Sequence, residues 1–124
     1  MKQSEIKEYI DQGHVRANVI FEVVGKPKEH VENTIKSYVE NIATNKEIKI
    51  LNEEYEAAEE VEDGLYATLA EVEMLIENLE KLNWLCVNFS PASVEILEPK
   101  EVTMGQGDLG KYFNDLLARL HEIG

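Results

Sequence analysis

VRANVIFEVVGKPKEHVENTIKSYVENIAT, residues 15–44, is the stretch that decides the fold. Its opening part is rich in β-branched and aromatic residues, which suit a pleated, half-buried surface. Val15, Ala17, Val19, Phe21 and Val23 fall on one face of a strand over 15–24. Arg16, Asn18 and Glu22 fall on the other, interrupted by Ile20 and Val24. The spacing predicts one buried face and one that is partly wet. Gly25-Lys26 reads as a turn, and Pro27 suits the first position of a helix, where a missing N–H costs nothing. The period then changes. Val31, Ile35, Tyr38, Val39 and Ile42 follow the one-sided pattern of an amphipathic helix, which runs to about Thr44. Lys28, Glu29, Glu32, Lys36 and Glu40 take its wet surface.

Upstream, residues 4–12 read as a short helix. Ser4 is a candidate cap, Gly13 a candidate stop, and Ile6, Tyr9 and Ile10 share a face. Downstream, Glu47–Tyr55 reads as a second strand, with Ile48 and Ile50 on one face and Leu51 and Tyr55 on the other. The seven carboxylates between Glu53 and Asp63 suggest a solvated strand end and loop, closed by Gly64. Leu65–Ala70 alternates as a third strand. Val72, Leu75, Ile76, Leu79 and Leu82 predict a second amphipathic helix that ends near Asn83. Residues 84–89 suit either an extension of that helix or a short strand, and Pro91 forbids simple continuation. Val94–Leu97 reads as a fourth strand stopped by Pro99. Gly105-Gln106-Gly107 then reads as a flexible lead into a last helix capped by Asp108.

The order α, β-α-β-β-α-β, α contains the split β-α-β unit, so the expected fold is an α+β, ferredoxin-like sandwich. Right-handed crossovers put the two middle helices on one face of a four-stranded antiparallel sheet. The terminal helices, or a second subunit, are then available to cover the other face. The rival arrangement takes residues 84–89 as a fifth strand. A length of 124 residues fits one domain, 1–124, able to bury roughly two-thirds of its unfolded surface.

Twelve Lys and Arg against twenty-five Asp and Glu give a formal net charge of −13. That balance argues against nucleic acid, whose phosphates need a cationic stripe, and against an anionic membrane surface. It suits solubility, or a basic partner. Cys86 is the one cysteine, so an intrachain disulfide, a CxxC pair and a thiolate zinc site are all excluded. The N-terminus lacks an apolar h-region, no run approaches the roughly 20 apolar residues of a membrane span, and the expected location is the cytoplasm.

The stretches VIFEVVGKPKEHVENTIKSYVENI (19–42), SVEILEP (93–99) and LLARLHE (116–122) resemble a family of small uncharacterised archaeal proteins. VVGKPKEHVENTI (23–35) also resembles the opening of an ACT-type regulatory domain. That second resemblance implies amino acids or related small molecules bound across a dimer interface.

Catalytic motifs are scarce. His14, His30 and His121 do not pair at the HxxxH spacing, and Cys86 lies among Trp84, Leu85, Val87 and Phe89 rather than in a cationic setting. The acidic run 53–63 lacks the DxDxDG calcium-loop spacing, and no nucleophile elbow, Walker A loop or GxGxxG is present. No metal and no cofactor is therefore expected. Lys26, Lys28 and His30 cluster where the first long helix begins, the one sequence-local place suited to an anionic group. In the last helix Leu109, Tyr112, Phe113, Leu116, Leu117 and Leu120 form a stripe expected to cap the open sheet or build a subunit contact.

The leading reading is a non-catalytic small-molecule-binding or regulatory module acting as a homo-oligomer, expected to be a dimer. One alternative is a small enzyme using carboxylates brought together by the fold, Glu71, Glu73 and Glu95 among them. The other is an acidic subunit of a larger complex that recognises a basic protein.

Overall fold

The computed structural model describes residues 1–123. Among these are four helices and five strands: α1 Gln3–Asp11, β1 Val15–Gly25, α2 Lys28–Ala43, β2 Ile48–Tyr55, β3 Glu59–Glu62, β4 Leu65–Ile76, α3 Leu79–Phe89, β5 Ser93–Glu98 and α4 Gln106–Ile123. The fold is α+β with one antiparallel sheet in the order β2-β4-β1-β5, and β3 adds to β4 beyond the end of β2. The sheet thus has five strands where four were expected. The extra one comes from the acidic run, which hairpins onto β4 through Gly64 at φ +79°, a conformation that glycine adopts without strain. The rival fifth strand at 84–89 is not formed, because those residues complete α3.

β1 and β4 are the central pair, in register from Val15↔Ile76 to Gly25↔Tyr66. Val15, Ala17, Val19 and Phe21 lie opposite Ile76, Met74, Val72 and Ala70, and this face carries the main core. Ile35, Val39 and Ile42 of α2 and Leu82 and Leu85 of α3 close over it, so both middle helices share one sheet face. Burying each such aliphatic side chain is worth about 1.5–3 kcal/mol. Tyr38, expected in the α2 stripe, is 39% exposed and pairs edge-to-face with the Phe89 ring instead.

β4 corrects the first part of the helix expected from Val72 to near Asn83; only the part from Leu79 is helical. Val72, Leu75, Ile76 and Leu79 have helical spacing, yet Ala70, Val72, Met74 and Ile76 also alternate. Pairing with β1 on one side and β2 on the other holds β4 extended through Ile76. Asn78 then starts α3, its side chain accepting the Lys81 N–H at 2.8 Å. β2 holds a second correction. An irregularity between Ile50 and Asn52 reverses the alternation, so Tyr55 shares the core face with Ile48 and Ile50 instead of lying with Leu51.

Helix ends differ in small ways from expectation. Ser4 is inside α1, since the N–H groups of Glu5 and Ile6 already bond the carbonyl of Lys2. Pro27 is the N-cap of α2 rather than its first residue. α4 begins before Asp108, with Leu109 N–H on the Gly105 carbonyl, so Gln106 and Gly107 are helical rather than a lead-in.

On the far face of the sheet, α1 covers one end. Leu75 and Ile6 are buried outside the main core, and Lys49, the register partner of Leu75, holds its Nζ 5.3 Å from the Tyr9 ring. α4 does not join it there. It packs beside α3, on the helical side of the sheet.

Candidate functional site

Three places carry the chemistry. The first is the part of the far sheet face that α1 leaves uncovered. The pairing register sets Asn18 opposite Glu73 on β4 and Glu95 on β5, and Ile20 opposite Glu71. The three carboxylates named from the sequence therefore lie together across three neighbouring strands. Arg16 sits at the head of this face. Its Nε donates to Glu73 at 2.6 Å, and its Nη1 reaches Glu98 at 3.4 Å. Burial pulls the guanidinium pKa down, but the bonds and charges of Glu73 and Glu98 outweigh it and hold the pKa above its ordinary value. Asn18 donates to Glu71 at 2.7 Å. Two of the three carboxylates are thus held as acceptors by neighbours on β1.

The second place is the start of α2. Lys26, Lys28 and His30 are all exposed there, as one basic corner. Pro27 supplies no capping side chain. One turn on, the Glu32 carboxylate accepts the Ala58 N–H at 2.9 Å and ties the β2–β3 connection to α2.

The third place is the pair α3–α4. A polar cleft of about 440 Å³ runs between them, lined in part by Trp84, Asn88, Lys111, Asp115 and Arg119. Asn83, buried on α3, donates to Asp115 at 3.2 Å, and Lys111 Nζ joins the same carboxylate at 3.3 Å. Lys81 is pinned nearby: its Nζ lies 3.5 Å from the Trp84 ring centroid, 3.0 Å from Glu47 and 3.1 Å from Asn45 Oδ1. The bond from Lys81 holds the Glu47 carboxyl below its ordinary range. Sequence reading missed this cleft. Its one local signal was the set of polar residues on the side of α4 away from the leucines.

That polar side is the one α4 turns toward α3. The apolar stripe points away: Leu109, Phe113, Leu116, Leu117 and Leu120 are exposed, Phe113 by 52% and Leu120 by 53%, and only Tyr112 is half-buried. The stripe neither caps the open sheet face nor fills the chain's own core. Cys86 is partly buried, and burial pushes its thiol pKa up, away from the reactive thiolate. Among the described residues, no group of three or more His, Cys, Asp or Glu is placed to hold a metal ion. No helix among them is long and apolar enough to cross a membrane.

The arrangement defines an α+β protein with an open antiparallel sheet, a carboxylate-lined face and an outward apolar helix. The sequence profile of the MJ0538 family matches residues 2–123, and the chain belongs to that family, an uncharacterised one named after an archaeal protein. No curated protein matches the chain. No solved structure matches it either.

Proposed function

We propose that this chain is a non-catalytic binding or regulatory module that acts as a homo-oligomer, most simply a dimer. The observation that carries the reading is the orientation of α4. Five large apolar side chains face water while the helix's charged side meets α3. Exposed apolar surface gathered into one stripe marks an interaction site. Scattered apolar residues on a surface do not.

The ferredoxin-like description belongs to this proposal. Its support is the strand order, with β2 and β3 taken as one interrupted strand, and the placement of α2 and α3 on the same face. An anion contact at Lys26, Lys28 and His30 is supported by the α2 start having no capping side chain. The ACT-type likeness has the β1–turn–α2 connection as its support. A lone cysteine with no disulfide partner fits a reducing compartment such as the cytoplasm. The enzyme reading loses ground because Arg16 and Asn18 engage Glu73 and Glu71.

Solution mass tests the proposal. Wild-type chain should run as two copies or more, and Phe113→Asp/Leu117→Asp should run as a folded monomer. A wild-type chain that stays monomeric at high concentration refutes it.

A further inference from the structure

The chain carries both halves of an apolar contact. One half is the α4 stripe. The other is a groove of about 280 Å³ between α3, β5 and the lead into α4, lined by Leu79, Leu82 and Cys86, by Val94 and Ile96 of β5, and by Met104, with Tyr112 at its α4 rim. Val94 and Ile96 lie on the core face of the sheet, opposite Val19 and Ala17, yet 36% and 39% of their surface stays exposed. A cavity of about 150 Å³ already holds benzene, so this groove has room for more than one apolar side chain.

We infer, resting on the homo-oligomer reading, that the occupant of this groove is the α4 stripe of a second copy. The contact is reciprocal about a two-fold axis, as an isologous dimer requires. Charge favours α4 as the element that meets another copy. The whole chain carries −13, so most faces of two copies repel. In α4, Asp108, Asp115 and Glu122 stand against Lys111 and Arg119, a net −1 with His121 neutral. At 100° per residue, the flank of the stripe that turns away from α3 is occupied by Gly110, Asn114 and His121, none of them acidic.

The two halves make separate targets, and solution mass with a thermal melt for each variant tests them. Val94→Gln/Ile96→Gln in the groove should give a folded monomer. Met104→Gln, which lies outside the sheet and leaves its pairing intact, should weaken the dimer in the same direction. Leu97→Gln, equally exposed on β5 but turned to the α1 side, should remain dimeric. A mixture of the groove variant with Phe113→Asp/Leu117→Asp should recover mixed dimers, because one intact stripe then meets one intact groove. Added salt should strengthen the wild-type dimer by screening two like-charged copies. A wild-type dimer that tolerates the groove variants, with no recovery on mixing, would show stripe-on-stripe pairing: it overturns this inference and leaves the homo-oligomer standing. A monomeric wild type whose Leu117 methyls contact its own Val94 overturns both.

Discussion

In α2, Val31, Ile35, Val39 and Ile42 face the sheet and are almost wholly buried. In α4, Leu109, Phe113, Leu116 and Leu120 have a similar helical spacing and face outward. The difference comes from what each helix is attached to. α2 follows β1 through a two-residue turn, and by Val31, in its first turn, its side chains are already buried. α4 follows the edge strand β5 after a longer connection and reaches the molecule where β1 and β4 are already covered by α2 and α3. An amphipathic pattern states that a face will be buried. Chain connectivity decides against what.

The largest expected effect separates the two helices directly. Ile35→Ala, at a site 1% exposed, should cost about 2–5 kcal/mol in a urea melt. Leu117→Ala, at a site 49% exposed, should stay within about 0.5 kcal/mol when measured dilute enough to keep the chain monomeric. Equal costs would mean that α4 turns its stripe inward in solution. A smaller effect sharpens the α3–α4 contact. Asn83→Ala removes the bond to Asp115 and should cost about 0.5–1.5 kcal/mol; no change would show that the two helices do not meet through that pair.

The smallest effect concerns acid. Glu47 has its folded pKa lowered by Lys81, so its contribution to stability is fully present above the unfolded value and fades as pH falls through the lower folded one. Lys81→Gln should move the Glu47 titration, followed by NMR, back up toward the ordinary value of 4.5 and flatten the acid side of the stability curve. An unmoved Glu47 would place Lys81 elsewhere, free of both Glu47 and Trp84.

The legible parts of the fold are those where one period dominates. β1 and α2 follow from 15–44 alone because alternation gives way cleanly to helical spacing at Gly25. The stretch 70–76 satisfies both periods, and only pairing with β1 and β2, distant in sequence, decides for strand. The irregularity at Leu51 likewise has no local signature, so the face of Tyr55 could not be read in advance. Glu71, Glu73 and Glu95 were nameable as carboxylates, but their common face depends on a register that joins residues more than fifty positions from Asn18. The α4 stripe was plain from its spacing, whereas its direction depends on Asn83 and Asp115 meeting across two helices.

Trp84 is the one tryptophan of the chain, and it stands on α3 where the α4 cleft opens, with the Lys81 ammonium over its ring. The molecule therefore carries a fluorophore of its own at the joint between its fixed and its outward-facing parts. Indole emission responds to neighbouring charge and to water. Any event that lifts, rolls or exchanges α4 should register there as a change in colour and intensity, with no label attached and with excitation chosen to pass over Tyr55 and Tyr66 of the sheet.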